Sequence, residues 1–66
     1  MQIILNGNQE EVSEGLTAAG LIGKLGLEGR RVALEVNRQV VARSAFATHE
    51  LRAGDRVEII HAIGGG

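Results

Sequence analysis

Few side chains in this sequence are equipped for covalent chemistry. It has no cysteine and only two histidines, His49 and His61, with no carboxylate at helical ligand spacing beside them. Thiolate catalysis, zinc–thiolate sites and disulfides fall away together without cysteine, and no metal site is expected. Ser44 has no base near it in sequence and reads as a helix cap. The informative feature is the end of the sequence. The apolar run Val57-Glu58-Ile59-Ile60-His61-Ala62-Ile63 leads directly into Gly64-Gly65-Gly66. A carboxylate on Gly66 would be an acyl group at the tip of an arm without side chains. Glycine lacks a Cβ, so such an arm can lie extended in a channel only as wide as the backbone. Any chemistry is therefore expected at the α-carboxylate of Gly66. A glycine-rich terminus taken alone is simply a frayed end, so the elements that precede it decide what it means.

Those elements belong to a single domain, expected over residues 1–63, with residues 64–66 as a flexible tail. Sixty-six residues leave no room for a second core. Hydrophobic residues make up 44% and charged residues 23%, ordinary proportions for a globular domain. The net charge of −1 carries no basic stripe of the kind nucleic acid requires. Residues 1–7 have no basic region and reach a turn too early for a signal peptide. No apolar run approaches a membrane span. The expectation is a cytoplasmic protein, monomeric when alone, that touches neither nucleic acid nor membrane.

Residues 1–6 read as a strand, closed by Asn6-Gly7, a pair that tolerates the positive φ of a tight hairpin. The return strand over residues 9–13 is polar and suits an edge, and Glu10, Glu11 and Glu14 discourage pairing with another chain there. Thr17 is a good N-cap for a helix over residues 18–25. Ala18, Leu21, Ile22 and Leu25 are spaced to share its buried face, and Gly26 ends it. Gly20 and Gly23 weaken the helix, so it depends on packing.

Residues 32–37 then alternate, with Val32, Leu34 and Val36 on one face. Arg38-Gln39 is expected to turn the chain into a short strand over residues 40–42. Ser44 would cap a helical turn over residues 45–49 that carries Phe46, the single aromatic residue, into the core. The turn at residues 52–55, with Asp55 as its stabilising side chain, precedes the last strand over residues 56–63. With Val57 and Ile59 facing the core, Glu58, Ile60 and Ala62 face outward. Two readings of Ile60 stay open: an exposed anchor beside the arm, or a buried residue of a central strand.

In this order, the Asn-Gly hairpin, the Thr-capped helix, Val32-Ala33-Leu34-Glu35-Val36-Asn37, Val40-Val41-Ala42-Arg43-Ser44, Gly54-Asp55-Arg56-Val57-Glu58-Ile59-Ile60 and the terminal Gly-Gly resemble the β-grasp sulfur carriers of thiamine biosynthesis, the ThiS family. The resemblance spans the sequence. It departs at Ala42, where the family usually has proline, at Phe46, where tryptophan is common, and at Arg38, where glycine usually turns the chain. The resemblance implies an α+β ubiquitin-like β-grasp fold: a mixed four- to five-stranded sheet crossed by one helix, with a short helical turn before the last strand. It implies a protein co-substrate rather than an enzyme. An E1-like adenylyltransferase would use ATP to activate Gly66, and a persulfide donor would convert the adenylate to a thiocarboxylate. Thiazole synthase would then accept the sulfur. Gly64 and Gly65 would thread into the partner active sites, and Glu58, Ile60, Ala62 and Ile63 would form the docking surface beside them. No cofactor would be bound by the chain itself.

Other classes fit the same tail. A carrier for molybdopterin or another sulfur metabolite would share the fold and the glycines. A ubiquitin-like modifier would pass Gly66 to a lysine, although Lys24 as the sole lysine makes chains built through many lysines an unlikely product. A plain interaction module would tolerate loss of Gly65 and Gly66.

Overall fold

The computed structural model describes residues 1–61, the last through its backbone alone. Five strands form one mixed sheet in the order β2-β1-β5-β3-β4, where β1 is Gln2–Leu5, β2 Asn8–Glu11, β3 Val32–Val36, β4 Gln39–Val41 and β5 Arg56–His61. One helix, α1 over Ala18–Lys24, supplies the second layer, and a 3-10 turn occupies Arg43–Ala45. β5 lies at the centre, parallel to β1 and antiparallel to β3. This is the expected β-grasp arrangement, with five strands.

Alternation determines which face is buried. Ile3 and Leu5 of β1, Leu34 and Val36 of β3, Val41 of β4, and Val57 and Ile59 of β5 all point to one side. Ala18, Leu21 and Ile22 of α1 close over them, joined by Val12 and Leu51. Ile3, Ala18, Leu34 and Val57 are fully enclosed. Each aliphatic side chain so buried contributes about 1.5–3 kcal/mol.

Helix α1 is secured at both ends. The Thr17 hydroxyl accepts from the Gly20 N–H at 3.0 Å, while Ala18 and Ala19 N–H donate to the carbonyls of His49 and Phe46. These bonds satisfy donors that a helix start leaves unpaired. At the other end Gly26 takes φ +73°. The Leu27 N–H donates to the Ile22 carbonyl and the Gly26 N–H to the Gly23 carbonyl, the paired bonds of a Schellman stop. The helix thus ends at Lys24. Leu25 becomes its C-cap and is 42% exposed, outside the buried face on which its spacing placed it. Leu27 packs against the core instead.

Three further expectations are corrected. The turn between β3 and β4 is Asn37-Arg38, both with positive φ, and Gln39 already pairs with Val36. Ser44 caps nothing: the 3-10 turn starts at Arg43, two residues before the expected start, from extended Ala42 and without a side-chain cap, so Ser44 lies inside it. Phe46 is half-buried and packs against the edge of the core, while the fully buried position in this segment belongs to Leu51. No helix among the described residues is long and apolar enough to cross a membrane.

Candidate functional site

The site is assembled from β5, the strand that carries the chain toward its terminal glycines. Its start is held by two asparagines from two hairpin turns. Asn6, at φ +49°, accepts the Ile59 N–H on its side-chain oxygen at 2.9 Å, and its own N–H donates to the Val57 carbonyl. Asn37, at φ +52°, accepts the Arg56 N–H at 2.9 Å and donates through Nδ2 to Asp55 at 3.0 Å. The second Asp55 oxygen accepts the Arg52 N–H at 2.8 Å, closing the turn ahead of the strand. Both asparagines sit in the left-handed region that their short polar side chains tolerate, so each turn also clamps β5.

On the β3 side the ladder runs from Val36↔Val57 to Val32↔His61. On the β1 side it stops at Leu5↔Val57, because β1 turns away at Asn6, whose side chain supplies the next acceptor. The strand is therefore rigidly aimed up to His61. The expected mobile tail and the expected contributions of Ala62, Ile63, Gly64, Gly65 and Gly66 lie outside the described residues.

The sheet face opposite α1 is open. Ile60 is 60% exposed, which resolves its two readings in favour of the exposed one. Glu58, two residues earlier on the same face, is also exposed. The structure adds neighbours that spacing along β5 did not reveal. Ala33 lies directly across from Ile60, and Val40 of β4, 73% exposed, continues the face beyond Glu35. Their signal was the alternation of β3 and β4, which becomes legible once the register is known. Glu35 lies directly across from Glu58. Like charges facing each other on adjacent strands weaken a sheet. The face thus presents aliphatic side chains beside a carboxylate pair.

His49 is half-buried at the rim of a cavity of about 530 Å3 lined also by Asn37, Arg52 and Asp55, away from β5's far end. Its carbonyl serves the helix start. Arg43 donates through Nη2 to the Arg30 carbonyl at 3.3 Å. Among the described residues no group of three or more His, Cys, Asp or Glu is placed to hold a metal ion. The arrangement can present a chain end and dock it.

The model of the ThiS family matches residues 3–66. The sulfur carrier protein ThiS of Escherichia coli is 32% identical over 66 residues, covering both chains completely. A thiazole synthase of Paramagnetospirillum magneticum is 38% identical over the whole chain, which spans 20% of that longer protein. Among solved structures, the crystal structure of the thiamine biosynthesis protein ThiS from Geobacter metallireducens superposes with a TM-score of 0.84. The two are 32% identical and each chain is covered completely.

Proposed function

Because the chain belongs to the ThiS family of sulfur carriers of thiamine biosynthesis, we propose that it carries sulfur as a thiocarboxylate on Gly66. The observation that carries this reading is the placement of β5. The central strand is clamped by Asn6 and Asn37, points the chain toward Gly64-Gly65-Gly66, and lies beside an open face bearing Glu58 and Ile60.

A carboxylate resists nucleophiles because its leaving group is poor, so activation precedes transfer. In the proposed sequence an E1-like adenylyltransferase binds ATP, and a Gly66 carboxylate oxygen attacks the α-phosphorus, releasing pyrophosphate. The terminal sulfur of a persulfide donor attacks the acyl carbon and AMP departs. Cleavage of the resulting acyl disulfide by a second thiol leaves the thiocarboxylate. Thiazole synthase is the proposed acceptor. The chain contributes an unhindered acyl group: Gly64 and Gly65 offer no side chain to a narrow channel. It also contributes a docking face, with Ile60 as aliphatic anchor and the Glu35–Glu58 pair set to meet basic partner groups. In this reading Ala62 and Ile63 are assigned to the same docking surface of the complex.

Intact mass after incubation with ATP, a sulfur source and the adenylyltransferase tests the reading. One oxygen replaced by sulfur, localised to the C-terminal peptide, is expected in the wild-type chain. Deletion of Gly66 abolishes it, and a shift that persists in that truncated chain overturns the assignment. Replacement of Gly65 by a bulky residue abolishes loading while the circular dichroism spectrum stays unchanged.

A further inference from the structure

On the helix side of the sheet, a groove of about 320 Å3 opens beside the end of β5. Val32, the partner of His61 across the ladder, lines it together with Ile22, Leu27 and Phe46. Phe46 packs against the core and also lines this groove, which is why the lone aromatic residue stays half-buried. Exposed Arg30 and Arg43 stand at the groove, with Arg43 tied to the Arg30 carbonyl. Glu28 also lines it, its carboxylate lying near Gly23 at the helix end. Neither arginine pairs with a carboxylate among the described residues; the ion pair found there joins the N-terminus to Glu11. The result is an apolar floor beside two guanidinium groups that meet no carboxylate among the described residues.

A glycine arm gives a partner almost no side chains to recognise, so affinity and register must come from the folded domain. Aromatic and arginine side chains at a desolvatable pocket are the residues that most often carry such affinity. A partner that takes up the residues after His61 must cover this end of the sheet, next to Val32. We propose that the groove is a docking site for an acidic segment of thiazole synthase that bears an apolar side chain. Its carboxylates meet Arg30 and Arg43, and its apolar side chain lies against Phe46 and Leu27. The choice of partner rests on the sulfur-carrier reading and on the thiazole synthase relative in which a region like this chain is part of the same polypeptide.

The test is the affinity of the wild-type chain for the thiazole synthase of its own genome, measured by calorimetry. Arg43→Glu, an exposed substitution whose fold is checked by its amide spectrum, is compared with Arg52→Glu at the other cavity. Arg43→Glu is expected to weaken binding by about tenfold or more, with Arg52→Glu within about twofold of wild type. Raising salt from about 50 to about 500 mM weakens the wild type more than Arg43→Glu. Arg43→Glu and Phe46→Ser both binding like the wild type would overturn the proposal. So would amide shifts at Leu27 and Phe46 caused in the free chain by deleting residues 62–66, or by raising its concentration, because the groove would then hold its own tail or a second copy. A wild-type chain that gains sulfur mass yet does not bind the synthase overturns the docking alone. One that neither loads nor binds overturns both readings.

Discussion

Among the described residues, three hold left-handed backbone conformations without being glycine, and they do so for different reasons. Asn6 and Asn37 convert that conformation into acceptors for β5. Arg38, at φ +69°, is exposed and makes no side-chain bond among the described residues. A non-glycine residue there costs about 1–2 kcal/mol, and glycine gives back part of the gain through the entropy of the unfolded chain. Arg38→Gly is therefore expected to stabilise the protein by about 0.5–1 kcal/mol in denaturant unfolding. Asn6→Ala leaves the Ile59 N–H without its acceptor and puts alanine at positive φ, so it should destabilise by roughly 2 kcal/mol. Equal stability of the two variants would contradict this account of the turns. The resemblance marked Arg38 as a departure from the family's glycine, but its conformation was not legible in the sequence. The turn centre lies at Asn37-Arg38 because Val36 pairs with Gln39, a register that tertiary pairing sets.

Helix α1 and its stop show how two nearby glycines can differ in role. A methyl at Gly23 would meet only ordinary contacts with Glu28, at 3.6 Å, whereas Gly26 has open space around it but φ +73°. Gly23→Ala is thus expected to stabilise by up to about 1 kcal/mol through helix propensity. Gly26→Ala should destabilise by about 1–2 kcal/mol through backbone strain alone. Thermal unfolding separates them, with melting temperatures moving in opposite directions by several degrees for a domain of this size. Movement of both in one direction would mean that the Schellman stop does not set the helix end. Gly20 differs again: a Cβ there would come within 2.8 Å of Leu16 Cδ1. That atom is the far end of a flexible side chain, so Leu16 can move aside and the contact alone does not require glycine at this position.

For the molecule taken as one body, the open sheet face divides stability from recognition. Ile60 lies outside the core, so Ile60→Asp is expected to cost no more than about 1.5 kcal/mol, from strand propensity and the carboxylates of Glu35 and Glu58 on the same face rather than from lost core packing. The same substitution should strongly reduce loading by the adenylyltransferase. Glu58→Gln relieves the repulsion across from Glu35 and is expected to raise stability by about 0.5 kcal/mol while lowering partner affinity. A large loss of stability in Ile60→Asp, seen in a melt, would return that residue to the core and remove the docking argument.

The order of strands and helix, the Thr17 cap, the Gly26 stop and the inward set of β5 were readable along the chain. Each follows from local rules: side-chain period, turn residues, and the donors that a helix end leaves free. The terminal glycines were equally plain as residue types. Long-range register settled the rest. It put β5 between β1 and β3, left one face uncovered so that Ile60 is exposed, and brought Ala33, Glu35 and Val40 beside Glu58 and Ile60. It also filled the buried position of the segment before β5 with Leu51 and left Phe46 at a groove rimmed by Arg30 and Arg43. Alternation along a strand says which residues share a face, but it cannot say whether another layer covers that face. That depends on where helix α1 comes to rest.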